Sequence, residues 1–303
     1  MKTSAKKLLV IAGPTAVGKT GLSIRLATHF GTEIVSADSR QFFRELTIGT
    51  AKPSQEELAA VKHHFINSHS ILEEYDAARY GEEALAVIHQ LFERHPVVIL
   101  CGGSGLYIKA VCEGFDDIPE VPDDIRDHLT NQFSSHGISW LQEQMRIMDP
   151  DFFETIDQQN PHRLIRALEV KMGTGSSLSV FRKNEKRTHD FSIYKIALNL
   201  PREELYSRID QRMDEMIGHG LFEEAEKLFP LRHYQALQTV GYKEIFDYLE
   251  GKYDREEAVR LLKRNSRRYA KRQLTWFVRD KEMRWFSPHQ TDTIIDYVES
   301  VDN

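Results

Sequence analysis

Short apolar runs alternate with longer amphipathic stretches through the first third of the chain. Leu8–Ala12 is apolar at every position and ends in a glycine loop; Lys19–Phe30 then follows helical spacing, and Glu33–Ala37 returns to strand character. The stretch 54–60 opens as a helix does, with Ser54 as cap and Glu57 three positions on. Ala77–Arg94 reads as a helix and Pro96–Cys101 as a buried strand. Strands without polar alternation, separated by helices, predict a parallel sheet covered on both faces.

The texture changes after Gly114. Residues 115–190 carry two helical patterns, Asp123–Ser134 and Asn160–Lys171, and a polar Gly/Ser stretch at 173–179. Ile193–Leu200 is strand-like again, and helical patterns dominate from Pro201 to Phe286. This order predicts an α/β core built from 1–114 and 191–303, interrupted by a helical insertion domain at 115–190.

Composition narrows the class. At 303 residues with 41% hydrophobic and 28% charged residues, the chain can bury a core without staples. Two cysteines, Cys101 and Cys112, provide no disulfide framework and are expected as small buried hydrophobes in a reducing compartment. No run approaches the roughly 20 apolar residues of a membrane span, so a soluble, cytoplasmic protein is expected, with no membrane partner.

The chemistry begins at Gly13-Pro14-Thr15-Ala16-Val17-Gly18-Lys19-Thr20, which matches G-x-x-x-x-G-K-[ST]. Such glycines aim successive backbone N–H groups at phosphate oxygens, and the helix that follows adds its dipole. Lys19 would neutralise a terminal phosphate and the Thr20 hydroxyl would bind Mg²⁺. A strand before and a helix after make this a P-loop NTPase-like site. The loop alone does not name the reaction. A motor or switch carries a second acid at a strand end, yet Pro96–Cys101 runs directly into Gly102-Gly103-Ser104-Gly105. Asp38, after the second strand, is the acid placed for chemistry at the carboxyl edge of the sheet, with turn capping as its alternative.

Net charge is −6, which argues against a generic nucleic-acid coat, but the mean conceals an asymmetry. Arg260–Arg272 holds seven Lys or Arg and no acid. On a helical wheel Ala258, Leu262, Tyr269, Ala270, Trp276 and Phe277 lie within about 80° of Leu262, and all seven cations lie about 80° away or farther. One face packs inward while the other offers a basic ridge to a polyanion, with Arg267, Arg268 and Lys271 as its test residues. His63, His64 and His69 lack the acid or cysteine spacing of a metal site and are expected to pack or to sit in loops. Gly241 in VGYKE is read either as a turn between helices or as an RNA-facing loop. On these residues alone a small-molecule kinase with a lid-like insertion and an ATP-dependent RNA-binding module stay open.

Taken together, GPTAVGKT (13–20), SADSRQFFRELTIGTAKP (36–53), CGGSGLYIKAV (101–111), HRLIRALEV (162–170), LYSRIDQRMDEMI (205–217), LQTVGYKEI (237–245) and RRYAKRQLTWF (267–277) resemble the bacterial tRNA dimethylallyltransferase family. They stand in the family's order across nearly the whole chain. The resemblance implies Mg²⁺-dependent transfer of a dimethylallyl group from dimethylallyl diphosphate to N6 of the adenosine 3′ of the anticodon, in the anticodon stem-loop of tRNA. It implies that the phosphate loop holds the diphosphate, that Asp38 accepts the N6 proton, and that Arg208, with Arg212 second, faces the diphosphate. Ser104 stands where the family has threonine, keeping a hydroxyl for the diphosphate or transition state. Asp38, Ser39, Arg40 and Gln41, Arg126, and His162, Arg163, Leu164, Ile165 and Arg166 match tRNA-contacting positions, although His162 replaces the family's common glutamine. A monomer is expected.

Overall fold

In the computed structural model, residues 6–183 and 185–300 are described, and six parallel strands among them form one sheet. They are β1 (Lys7–Ala12), β2 (Ile34–Ser36), β3 (His63–His64), β4 (Val97–Gly102), β5 (Ser192–Leu198) and β6 (Arg284–Phe286), ordered β3-β2-β4-β1-β5-β6. β1 is central, with Lys7 paired to Val97 on one side and Ser192 on the other. Its period-two side chains divide between two cores: Leu8, Val10 and Ala12 face one, Leu9 and Ile11 the other. Both faces of the sheet are therefore covered at β1, which is why this strand shows no polar alternation along Leu8–Ala12.

The described chain separates into two compact units. One joins the residues before Glu113 to those from Thr188 on; Glu113–Arg187 forms the other. The first unit contains the sheet and a further helical core around Phe42, Leu46, Leu237, Tyr242 and Leu262. The second is helical, and Leu129, Leu141, Met145, Leu164 and Leu168 form its centre. Its helices include Asp123–His136 and Pro161–Thr174, the latter capped by Asn160, whose side chain accepts the Arg163 N–H. A third long helix there, Ile138–Met148, goes beyond the two expected.

Three elements have no clear sequence signal. β3 and β6 are two and three residues long, too short for a pattern, and take their conformation from pairing with β2 and β5. Helix Gly105–Cys112 starts at the glycines after β4, where the carbonyl of Ser104 accepts the N–H groups of Tyr107 and Ile108. No helix among the described residues is long and apolar enough to cross a membrane.

Candidate active site

Parallel strands put the loops after β1, β2 and β4 on one edge of the sheet, where ligands of open α/β folds bind. The loop after β1 is strained as a phosphate loop is: Gly18 holds φ +100° as N-cap of helix Lys19–Phe30, and Ala16, not a glycine, holds φ +63°. Val17 is fully buried and anchors the loop in the core.

A cleft of about 560 Å³ opens beside this loop, within the range of small-ligand sites. Thr15, Ala16, Gly18, Lys19 and Thr20 line it, as do Asp38, Arg40 and Gln41 from the loop after β2 and Arg208 and Arg212 from helix Arg202–Gly218. Sequence positions nearly 200 apart thus meet at one surface.

Lys19 Nζ folds back, donating to the carbonyls of Gly13 (3.0 Å) and Pro14 (2.7 Å). Burial brings its pKa down to about 8; the neighbouring Arg212 charge pushes the same way, while Cys101 and Asp38 oppose it. Burial also lowers the Arg212 pKa, against the charge of Asp38, and its Nη1 reaches Thr15 Oγ1 at 3.4 Å. Arg208 is held by Glu204 at 2.9 Å on the same helix. Two guanidiniums and an ammonium lie along this cleft, whose lining also carries the carboxylates of Asp38, Glu57 and Glu215; the cations suit a polyanionic group.

Asp38 does two things at once. Oδ1 accepts the N–H groups of Arg40 (3.0 Å) and Gln41 (3.3 Å), so the turn-capping alternative is part of its role. Oδ2 has no hydrogen-bond partner among the described residues, and the side chain lines the cleft. The Thr20 hydroxyl likewise has no partner among the described residues and faces the same space. Hydroxyl and carboxylate oxygens are the hard donors that suit Mg²⁺. Elsewhere, acidic side chains able to hold a cation include Asp280 and Glu282, which already bind the Lys195 ammonium at 2.8 and 2.7 Å.

Several expectations change on contact with the structure. Ser104 does not line the cleft; its buried Oγ accepts the Ser39 N–H (2.9 Å) and donates to Ser39 Oγ (3.1 Å), so it ties the loop after β4 to the Asp38 turn. Leu164 and Ile165 are buried in the core of the second unit because they fall on the inward face of their helix, and they present no side chain to a partner. On that helix His162 and Arg163 are exposed; Arg166 binds Glu169 at 3.0 Å, and Arg126 approaches the same buried carboxylate at 3.8 Å.

The basic helix spans Arg255–Phe277 and buries Ala258, Leu262, Ser266, Ala270, Gln273 and Phe277. Its outer face is less uniformly positive than the sequence implies, because acids arrive from helix Arg202–Gly218: Asp210 binds Arg267 and Asp214 binds Lys263, while Glu257 binds Arg260. Arg268, Lys271 and Arg272 remain exposed and without an acidic partner among the described residues.

The same helix supplies residues that sequence reasoning missed. Gln273 Oε1 accepts the Thr15 N–H (2.9 Å) and its Nε2 donates to the Gly103 carbonyl (2.8 Å), which locks the phosphate loop to the loop after β4. A signal existed: Gln273 lies about 20° from Leu262 on the wheel, a polar residue on an otherwise apolar face. Tyr269 and Ser266 also line the cleft, with Thr239, Val240 and Gly241. Gly241 is therefore both the start of helix Tyr242–Leu249 and part of the cleft wall. The histidines pack: His64 binds Glu33 at 2.7 Å, His63 bonds the Val61 carbonyl, and His69 stacks on Tyr75.

Comparison with known proteins shows the family. The sequence model of the family described as IPP transferase matches residues 41–281. A tRNA dimethylallyltransferase from Christiangramia forsetii is 49% identical over 97% of each chain, and one from Cytophaga hutchinsonii is 48% identical over 97% of each. Among solved structures, a full-length tRNA isopentenylpyrophosphate transferase from Bacillus halodurans aligns with a TM-score of 0.71 at 38% identity, covering 98% of this chain and 96% of its own. A eukaryotic dimethylallyltransferase described as acting on tRNA aligns with a TM-score of 0.79 at 26% identity, covering 98% and 80%.

Proposed function

The chain belongs to the IPP transferase family, and we propose that it transfers a dimethylallyl group from dimethylallyl diphosphate to N6 of the adenosine 3′ of the anticodon in tRNA, releasing diphosphate. The observation that carries this reading is the shared cleft of Lys19, Arg208, Arg212 and Asp38. The cations suit a polyphosphate, and Asp38 Oδ2, outside the hydrogen bonds of the turn, suits a proton.

In the reaction the bond between the allylic carbon and the diphosphate oxygen breaks, and a bond from adenine N6 to that carbon forms. The allylic cation is comparatively stable, so the transition state chiefly needs the departing charge neutralised. Lys19, Arg208, Arg212 and the phosphate-loop N–H groups do this. Mg²⁺ at the Thr20 hydroxyl would add Lewis-acid charge stabilisation on the same leaving group. The exocyclic amine is almost non-basic and becomes acidic only as the C–N bond forms, so an ordinary carboxylate suffices as acceptor. Asp38 Oδ2 takes that proton while Oδ1 keeps the turn in place.

For tRNA, the exposed Arg268, Lys271 and Arg272 provide a phosphate-binding face, and Arg40 and Gln41 flank the reacting base. The helical unit contributes Arg126, His162, Arg163 and Arg166. Such an enzyme works where tRNA matures, in the cytoplasm.

The test is the mass of unmodified tRNA after incubation with the protein, Mg²⁺ and either dimethylallyl diphosphate or ATP. A mass gain of one dimethylallyl group on an adenosine, with the diphosphate only, is expected. Phosphorylation of a small metabolite from ATP, with no change in tRNA, would replace this reading by a kinase.

A further inference from the structure

Glu224 lies on helix Leu221–Leu228, in a sequence that reads as an ordinary amphipathic surface helix. Its carboxylate instead turns onto the segment after the Asp38 turn. Oε2 accepts the N–H groups of Thr47 (3.1 Å) and Ile48 (2.9 Å), and Oε1 accepts that of Gly49 (3.0 Å). Oε1 also accepts the Tyr242 hydroxyl at 2.6 Å. Four donors from two distant segments converge on one carboxylate.

Both segments are walls of the cleft. Gly49, Thr50 and Ala51 line one side; Thr239, Val240 and Gly241, immediately before Tyr242, line another. The opposite end of the first segment is held by Gln41, whose Nε2 donates to the carbonyls of Thr50 (3.2 Å) and Ala51 (3.1 Å). The N–H of Gln41 in turn is bound by Asp38 Oδ1. A continuous chain of hydrogen bonds thus runs from Glu224 through residues 47–51 and Gln41 to Asp38. Tyr242 is fully buried, and burial together with the Glu224 charge raises its pKa, so it stays a donor. Gly49 presses against its ring so closely that a Cβ there would sit 2.6 Å away.

We propose that Glu224 is a positioning residue for the acceptor base: it fixes the cleft wall that carries Gln41 and Asp38, and it leaves the phosphate loop alone. The proposal rests on the transferase reading above. None of the four donors belongs to the phosphate loop, so the effect of losing the carboxylate divides between substrates.

Glu224→Gln is the informative change. An amide offers one acceptor oxygen, and whichever site its NH₂ takes faces two donors. The expected result is a fall of about 10- to 100-fold in kcat/KM for tRNA, with the Kd for inorganic pyrophosphate within about twofold of the parent. Tyr242→Phe, which leaves Glu224 in place, should show the same division at about 2- to 10-fold. Amide hydrogen exchange at Thr47, Ile48 and Gly49 should quicken at least about tenfold in Glu224→Gln. An unchanged kcat/KM for tRNA, or an equal loss of pyrophosphate binding, overturns the proposal. Should Glu224→Gln not fold, Tyr242→Phe decides by the same division. Should the parent protein prenylate nothing, the transferase reading falls, and the exchange rates at 47–49 alone judge whether Glu224 holds the wall.

Discussion

Replacing Asp38 by asparagine separates its two oxygens. Oδ1 caps the turn through the N–H groups of Arg40 and Gln41, and an asparagine carbonyl accepts both. The fold should therefore survive, whereas Asp38→Ala loses two hydrogen bonds and about 1–2 kcal/mol. What asparagine cannot replace is the basic lone pair at Oδ2. A general base contributes about 10²–10⁴-fold, or roughly 2.7–5.5 kcal/mol at 1.36 kcal/mol per decade. Pyrophosphate and tRNA should bind Asp38→Asn almost as they bind the parent, while single-turnover prenylation, measured with enzyme in excess, slows by that factor. Loss of pyrophosphate affinity that excess Mg²⁺ restores would assign Oδ2 to the cation. Single-turnover chemistry within about threefold of the parent, in a folded protein, would refute the proton-acceptor role outright.

Because burial holds the Lys19 pKa near 8, pyrophosphate affinity should fall as pH rises through 8, by about tenfold per unit above it, and a Lys19→Arg variant should show no such fall over the same range. The stability effect has the opposite sense: the folded state binds fewer protons than the unfolded one between about pH 8 and the ordinary value of 10.5, so the cost of burying this ammonium is full below 8 and is relieved as pH climbs through that window. Reversing Arg268, Lys271 and Arg272 to glutamate should weaken tRNA binding and flatten the log Kd against log salt slope by about 2–3 units, leaving pyrophosphate titrations unchanged; an unaltered slope removes this face from the interface. Arg166→Ala strips the buried Glu169 of its closer partner and should cost about 1–3 kcal/mol by chemical denaturation, whereas Arg163→Ala, whose contact with Asp157 is exposed and 3.9 Å long, should cost under about 0.5 kcal/mol.

What could be read from the chain was local. The phosphate loop is eight consecutive residues with fixed glycines, and β1, β4 and β5 declare themselves because they are mainly apolar, with the buried Lys7 and Lys195 as exceptions that each find a hydrogen-bond partner. β3 and β6 could not be read, since two or three residues have no period and only their neighbours make them strands. The place of Asp38 after a strand was legible, but its Oδ1 bonds to the Arg40 and Gln41 N–H groups were not, because they depend on the turn geometry. The burial of Leu164 and Ile165 was not legible for a different reason: a motif treats five adjacent residues alike, while a helix turns two of them inward. Glu224 was out of reach altogether, with its backbone partners 175 to 177 residues away.

Helix Arg255–Phe277 is where this distinction has the most consequence. Its outer cations could be counted from the sequence, yet their effective charge is set by Asp210 and Asp214 on another helix, which leave Arg268, Lys271 and Arg272 uncompensated. Its inner face carries Ser266, Tyr269 and Gln273 into the cleft, and the Gln273 amide grips the phosphate loop itself. Lys271 and Gln273 are two positions apart and about 200° apart around the axis, so one helix carries exposed cations on one side and lines the cleft on the other. A 23-residue helix capped by Asp254 and sealed by Leu262, Ala270 and Phe277 does not bend independently at its two faces. On the function proposed above, the same backbone would set the tRNA-docking face and the leaving-group site relative to each other.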